Sequence, residues 1–173
     1  YNNPKLAHSI LDKLSIAVAD YLSAKIEAGA DAVQIFDTWG GILSPRDFEE
    51  FSLAYVEKII SLLKRKDEPV IFFAKGVHSK LNKLAGCGAT VIGLDWTMDL
   101  GKVREKVGDK VALQGNLDPT ALYGDEKYIK KAVKRVLKSY GAGDGHIFNL
   151  GHGILPDIDP EKVKRSVELS QIK

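Results

Sequence analysis

The chain has 173 residues, of which 45% are hydrophobic and 28% charged, a composition typical of one folded domain and unlike that of a disordered chain. Its 25 basic and 23 acidic residues are spread along the sequence, so the charge pattern predicts neither nucleic-acid binding nor attachment to a membrane surface. The single cysteine, Cys87, cannot form an internal disulfide, and no apolar run reaches the roughly 20 residues that span a bilayer, so we predict a cytoplasmic protein.

Helix and strand patterns alternate along the whole chain. Apolar residues at helical spacing predict a helix over residues 4–28, and Gly29 follows at the position of a C-terminal cap. Short apolar runs bounded by turn residues predict buried strands, and Ser44 with Pro45 has the pattern of a helix N-terminus. The predicted strands are 32–37, 70–75, 90–95, 111–116 and 146–151, and the helices that follow them are 45–66, 79–87, 100–108, 125–140 and 160–172.

The alternation predicts an α/β fold in which the strands pair in parallel through right-handed crossovers. Chemically reactive residues follow the strand ends, which favours a barrel whose site lies at that end, although an open doubly wound sheet gathers ligands there too. A complete barrel has eight strands. We therefore expect residues 1–173 to be the C-terminal part of a single barrel domain, without its N-terminal strands. The open edges then predict either a covering segment or self-association.

The end of the first predicted strand carries three side chains of complementary chemistry. Asp37, Thr38 and Trp39 offer an acceptor, a donor and a stacking face directly before two glycines, which suits a large planar polar ligand. The same three residues also fit a capped turn with a tryptophan packed on the rim.

The last predicted strand leads into Gly151, His152 and Gly153. The glycines allow a sharp turn and the close approach of a ligand, so a ligand-binding histidine and a histidine that only caps the turn are both consistent with the pattern. Lys75, which ends the second strand, adds a second cation to the strand ends. His8 and His146 are assigned to structure.

Three other groups carry weaker signals. The segment GNLDP at 115–119 fits an Asx turn before a helix, and Asp95 with Trp96 fits either a turn or a site. Cys87 has only His78 nine positions before it, so the sequence predicts no zinc site. One helix carries lysines expected to form a solvated face, namely Lys127, Lys130, Lys131, Lys134 and Lys138.

Five motifs, QIFDTWGGILSP, FFAKG, GLDW, LQGNLDP and NLGHGILPDIDPE, occur in an order and at a spacing that resemble the uroporphyrinogen decarboxylase family over residues 1–173. The resemblance implies a (β/α)8 TIM barrel, of which about five β/α units are present in this chain. It also implies a cofactor-free carboxy-lyase, usually a homodimer, that works in haem biosynthesis. The reaction converts the four acetate side chains of uroporphyrinogen III to methyls and gives coproporphyrinogen III.

By this resemblance, Thr38 matches a Ser or Thr that contacts the substrate, and His152 matches a substrate-binding histidine. Asp37, Trp39 and Lys75 are candidates for lining the same site. The family's main catalytic aspartate, an arginine motif and a tyrosine lie upstream of the matched residues, and Tyr1 is not assigned the tyrosine's role. We therefore assign no catalytic residue and expect the chain alone to be inactive.

The positions of the arginines are consistent with site residues that lie upstream, because an anionic substrate needs several cationic partners. All five are predicted to lie in helices away from the strand ends: Arg46, Arg65, Arg104, Arg135 and Arg165.

Two alternatives stay open. Zinc- and corrinoid-dependent methyltransferases resemble the decarboxylases in several motifs, but they carry His-x-Cys after a mid-chain strand and a further Cys near the C-terminus. This chain has Phe73, Ala74, Lys75 and Gly76 at the first position and His152 at the second, so soft-metal binding has no support. The second alternative is a non-catalytic module that binds tetrapyrroles or assembles with a partner.

Overall fold

The structure, a computed structural model, describes residues 2–171. The chain divides into two compact units, unit 1 (Tyr1–Ile92) and unit 2 (Gly93–Lys173). Over the described residues, none of the helices is both long and apolar enough to cross a membrane.

Unit 1 alternates helices and strands. Its helices are α1 (Pro4–Glu27), α2 (Pro45–Phe48), α3 (Ala54–Leu62) and α4 (Leu81–Leu84), and its strands are β1 (Val33–Asp37), β2 (Val70–Ala74) and most of β3 (Val91–Gly93). β1 and β2 pair in parallel, from Val33 opposite Val70 to Asp37 opposite Ala74. The N–H of Thr90, just before β3, donates to the carbonyl of Val70 at 3.0 Å.

The helix α1 begins where its sequence predicts. The Asn3 side chain accepts the N–H of Leu6 at 3.1 Å, and Pro4 occupies the first helical turn, where its missing N–H costs nothing. One face of α1 packs on α3 through small residues such as Ser15 and Ala19, which allow the two helices to approach closely.

The helix predicted over 45–66 is wrong at its C-terminal end and irregular in its middle. A π-helical segment, Glu49–Leu53, separates α2 from α3, and α3 ends at Leu62 because the backbone of Leu63 is extended. The next N–H, of Lys64, donates to the Ser23 hydroxyl of α1 at 3.0 Å instead of continuing the helix. Arg65 therefore lies in a loop, which contradicts its predicted helical position.

Unit 2 contains the end of β3, the strands β4 (Ala112–Gln114) and β5 (His146–Ile147), and the helices α5 (Leu100–Val107), α6 (Glu126–Tyr140) and α7 (Pro160–Ser170). Aspartate caps each helix: Asp99, Asp125 and Asp159 accept backbone N–H groups from the first turns of α5, α6 and α7. α6 and α7 pack together over an apolar core that includes Leu122, Ile129 and Val133.

The last strand is shorter than predicted. β4 and β5 pair in parallel over only two residues of each, and the ladder continues as separate hydrogen bonds, including Leu117 N–H to Asn149 O at 3.0 Å and Gly151 N–H to Leu117 O at 2.7 Å. The Asn149 side chain accepts the N–H of Leu150 at 2.8 Å. β3 and β4 are also shorter than predicted, and residue 172 of the predicted last helix lies outside the described residues.

The strands follow chain order, β1-β2-β3 in unit 1 and β3-β4-β5 in unit 2. Each strand is followed by a helix, so the predicted α/β fold with about five β/α units is confirmed.

Candidate functional site

The turn after β1 presents Thr38 and Trp39. Thr38 is half-buried, whereas the Trp39 side chain is 71% exposed, so its ring face is open to a ligand or to another surface. The carbonyl of Asp37 accepts the N–H of Lys75 at 3.3 Å, which ties the ends of β1 and β2 together. Unit 1 thus brings Asp37, Thr38, Trp39 and Lys75 to adjacent strand ends.

The Asp37 carboxylate is engaged within the protein. Its Oδ2 accepts a hydrogen bond from the hydroxyl of Ser52, which lies in the π-helical segment. A Cβ placed on Gly40 would overlap the same carboxylate and would lie 2.9 Å from the ring of Phe48. Asp37 is therefore positioned beneath the turn that carries Thr38 and Trp39.

Gly41 is explained by packing of one loop on another. A Cβ on Gly41 would overlap the main-chain oxygen of Lys75 and lie 2.9 Å from the Cα of Gly76. Gly41 therefore allows the turn to approach the segment after β2 closely.

A charged network lies next to this segment. Glu49 of the π-helical segment pairs with both Lys80 and Lys83, and hydrogen bonds from these two ammonium groups hold the pKa of Glu49 below its usual value. A cavity of about 180 Å³ lies beside Lys80, between the Gly40–Gly41 turn and Gly76. Its lining consists mainly of glycine and apolar residues, and its lysine already has an acidic partner.

In unit 2, His152 lies beside Trp96. The two rings meet edge to face, with centroids 6.1 Å apart and planes at 86°. A Cβ on Gly151 would overlap the backbone nitrogen of Trp96, so only glycine lets the strand end approach the Trp96 backbone this closely. A Cβ on Gly153 would meet nothing within 4 Å. Close packing on Trp96 therefore requires glycine at position 151, whereas no such contact requires glycine at position 153.

Hydrogen bonds of buried residues hold the loop that carries Trp96. Asp95 is fully buried and accepts hydrogen bonds from the N–H and the hydroxyl of Thr97. The Asn116 side chain, also buried, donates to the carbonyls of Asp95 and Met98 at 2.8 Å each. Asp118 accepts the N–H of Thr120, so the Asx turn that the sequence predicts at 115–119 is confirmed.

A second set of bonds holds the segment after His152. The Tyr123 hydroxyl donates to Asp157 Oδ1 at 2.6 Å, and this bond raises the pKa of Tyr123. The Lys162 ammonium donates to the carbonyls of Tyr123 and Gly124 at 3.2 and 3.0 Å. The Tyr123–Asp157 and Ser52–Asp37 hydrogen bonds were not predicted from the sequence, because their partners lie 34 and 15 positions apart and leave no local pattern.

Thr38 belongs to unit 1 and His152 to unit 2, so each is placed by its own unit. His146 stacks on Tyr140 with centroids 4.6 Å apart, and its Nε2 bonds the carbonyl of Gly115 at 2.7 Å. Burial lowers the pKa of His146. His8 contacts the Tyr55 hydroxyl through Nδ1 at 2.7 Å, so the structural roles predicted for both histidines are confirmed.

Within residues 2–171, no group of three or more His, Cys, Asp or Glu side chains is placed to hold a metal ion. Arg104 binds the carbonyls of Tyr140 and Ala142, and Arg165 pairs with Glu126 and Glu168, so these two guanidinium groups have protein partners. The solvated face predicted for α6 is confirmed, because all five of its named lysines are exposed: Lys127, Lys130, Lys131, Lys134 and Lys138.

Comparison with known proteins gives a consistent result. A protein-family profile described as uroporphyrinogen decarboxylase (URO-D) matches residues 1–171. Relatives that carry the name uroporphyrinogen decarboxylase include one from Hahella chejuensis, 54% identical over 168 residues, and one from Pseudomonas entomophila, 56% identical over 165 residues. The matches cover 95% and 93% of this chain but 47% of each relative, so the chain spans about half the length of the curated relatives it matches.

Among solved structures, a methyltransferase from Methanosarcina mazei is similar, with a TM-score of 0.79 and 27% sequence identity over 90% of this chain and 46% of that chain. Together with the family match, this similarity confirms the predicted fold class, the TIM-barrel family with about five β/α units present.

Proposed function

The chain belongs to the uroporphyrinogen decarboxylase family, and on that premise we propose that it is the C-terminal part of a uroporphyrinogen decarboxylase barrel. The whole enzyme converts the four acetate side chains of uroporphyrinogen III to methyls and releases CO2. The observation that carries the proposal is 54% identity over 168 residues to a relative of that name. That match spans 95% of this chain, including both candidate site segments.

The chemistry assigns distinct tasks to the residues at the strand ends. Loss of CO2 leaves an electron pair that needs an acceptor, and a protonated pyrrole ring of the substrate serves as that acceptor. The new methylene carbon then takes a proton and becomes a methyl group, and the ring releases the proton it had gained, so each acetate exchanges CO2 for one proton. Groups that hold the substrate and groups that move protons are both needed in this sequence.

We assign His152 to the substrate carboxylates. An imidazole can donate a hydrogen bond to a carboxylate, and histidine is a common proton-transfer group, so it suits carboxylate binding or proton transfer. The Trp96 ring and the constrained Gly151 backbone support its position.

Thr38 is assigned a hydrogen bond to a substrate side chain, and the exposed ring of Trp39 is available to pack on a planar ligand. Lys75 and Asp37 complete the set of groups that we propose line or support this part of the site. No cofactor is required in this scheme.

The catalytic aspartate and most of the anion-binding arginines belong, in this proposal, to the part of the enzyme that this chain does not span. A substrate with eight carboxylates needs several guanidinium or ammonium partners. Arg104 and Arg165 are already bound to carbonyls or carboxylates in unit 2. The 173-residue chain alone is therefore proposed to be inactive.

The test is replacement of His152 by Asn in the full-length enzyme, with anaerobic turnover of uroporphyrinogen III as the readout. We expect a higher KM or an altered distribution of partly decarboxylated products. Lys134→Ala, on the solvated face of α6, is the control and should behave as the wild type. Wild-type kinetics in His152→Asn would remove this residue from the site.

A methyltransferase is the second candidate, because the solved structure from Methanosarcina mazei has that activity in its name. Its 27% identity is half that of the decarboxylase relatives, and the positions where the methyltransferases of this superfamily carry zinc ligands hold Lys75 and His152 here. Stoichiometric zinc binding in equilibrium dialysis would favour the methyltransferase.

We further propose that the full-length enzyme is a cytoplasmic homodimer. Family membership supports both statements, and sedimentation equilibrium of the full-length protein tests the dimer. A full-length protein that binds uroporphyrinogen without any turnover would instead favour the non-catalytic tetrapyrrole-binding module.

A further inference from the structure

We infer that Ser52 is a positioning residue: it holds the Asp37 carboxylate and thereby fixes Thr38, the proposed substrate contact. The inference rests on the proposed function, because the position of Thr38 affects turnover only if Thr38 binds the substrate.

Ser52 lies in the π-helical segment Glu49–Leu53, between α2 and α3. Such π-helical turns interrupt a regular helix and are frequent at functional sites. Here three side chains of the segment each reach a different element of unit 1. Glu49 pairs with Lys80 and Lys83 after β2, Glu50 contacts His8 of α1 at 3.3 Å, and Ser52 donates to Asp37 at the end of β1.

Asp37 is held at two points. Its main-chain oxygen accepts the N–H of Lys75, and its carboxylate accepts the Ser52 hydroxyl. Gly40 leaves only enough room for this carboxylate, since a Cβ there would overlap it. The carboxylate thus fills the space under the turn 37–40, and the Ser52 hydroxyl determines which way it points.

Loss of the Ser52 hydroxyl removes a donor from a half-buried carboxylate, which then rotates toward water or another donor. Rotation of Asp37 displaces the turn resting on it, beginning with Thr38, the next residue. A small displacement of a substrate-binding hydroxyl weakens its hydrogen bond, because hydrogen bonds depend steeply on distance and angle.

The first experiment measures steady-state kinetics of the full-length enzyme with Ser52→Ala, Ser52→Thr and Ser61→Ala. Ser61 lies in α3 and its hydroxyl donates to the carbonyl of Lys58 at 2.8 Å, so its loss controls for removing a helical serine hydroxyl. We expect Ser52→Ala to raise KM about fivefold with little change in kcat, because one hydrogen bond to the bound substrate is lost. Ser52→Thr, which keeps a hydroxyl, and Ser61→Ala should retain the wild-type KM.

A double-mutant cycle tests the route through Thr38. If Ser52 acts by placing Thr38, the Ser52→Ala/Thr38→Ala enzyme should have the KM of Thr38→Ala alone. Additive effects of the two substitutions, or a wild-type KM in Ser52→Ala, would overturn the inference.

A readout without turnover separates this inference from the proposed function. Hydrogen–deuterium exchange of the same full-length proteins should be faster over residues 37–43 in Ser52→Ala and unchanged in Ser61→Ala. If the wild type does not decarboxylate uroporphyrinogen, the proposed function fails, and this exchange alone decides whether Ser52 fixes the turn. Unchanged exchange over residues 37–43 in Ser52→Ala would overturn the positioning role in either case.

Discussion

At the scale of single residues, the two glycines around His152 make different demands on the backbone. A methyl group at Gly151 would overlap the Trp96 backbone, whereas one at Gly153 would point into open space. We predict that Gly151→Ala lowers the free energy of unfolding by about 1–3 kcal/mol, the usual cost of overpacking. Urea denaturation checks this value.

Gly153→Ala is the matched control. Surface substitutions without contacts change stability by about 0.5 kcal/mol or less. Equal effects of the two substitutions would mean that the approach of Gly151 to Trp96 is not tight.

His146 provides a prediction about pH. Burial lowers its pKa in the folded protein from the ordinary value of 6.5, so the folded state resists protonation more than the unfolded state does. Above pH 6.5 the histidine is neutral in both states and causes no loss of stability. As the pH falls below 6.5 toward the lowered folded pKa, the unfolded state binds the proton first and stability decreases.

The measurement compares urea unfolding of the wild type with that of His146→Phe, which preserves a ring to stack on Tyr140 but cannot titrate. The phenylalanine leaves the Gly115 carbonyl without this partner and lowers stability at every pH. The difference in unfolding free energy between the two proteins should therefore shrink between pH 8 and pH 5. A difference that is constant with pH would contradict the assignment.

At the scale of elements, helix caps are local enough to be predicted and tested. The Asp125 carboxylate accepts the N–H of Tyr128 at 2.7 Å at the start of α6. Asp125→Ala should lower the unfolding free energy by about 1 kcal/mol, because a first-turn N–H loses its acceptor. Asp125→Asn retains an oxygen at the cap and should stay close to wild type in the same thermal or urea unfolding experiment.

The alternation of strands and helices was predictable because apolar periodicity and capping residues are encoded locally. The π-helical segment Glu49–Leu53 was not, since its residues have ordinary helical character and the irregularity depends on partners in α1, β1 and the segment after β2. The end of α3 was missed for a similar reason, because Ser23 of α1 accepts the N–H of Lys64.

For the candidate site, the sequence predicted which residues to consider but not the contacts that hold them. Motif spacing pointed to Thr38 and His152. Thr38 directly follows β1, whereas His152 lies five positions after the last residue of β5. Two contacts orient these residues, Ser52 with Asp37 and Trp96 with His152. Both join positions far apart in sequence, so no local sequence pattern predicts them.

At the scale of the whole molecule, an exposed apolar face of α1 bears on whether the chain self-associates. Opposite the face that packs on α3, the helix exposes an apolar stripe at helical spacing, with Leu6 55%, Ile10 50%, Leu14 53% and Tyr21 60% exposed. A helix with apolar residues on opposite faces normally has neighbours on both. The relatives are about twice as long as this chain, so a protein that contains their remaining half has further segments available to cover the stripe.

We predict that the 173-residue chain self-associates through this stripe, because exposed apolar patches promote contact between copies. Sedimentation velocity should show larger species as the protein concentration rises. Ile10→Lys with Leu14→Lys should shift the chain toward monomer, since charge is not tolerated in an apolar contact. Lys134→Glu, on the solvated face of α6, should leave association unchanged. A wild-type chain that stays monomeric at every concentration would contradict this prediction, and association unaffected by the two lysines would place the contact on another surface.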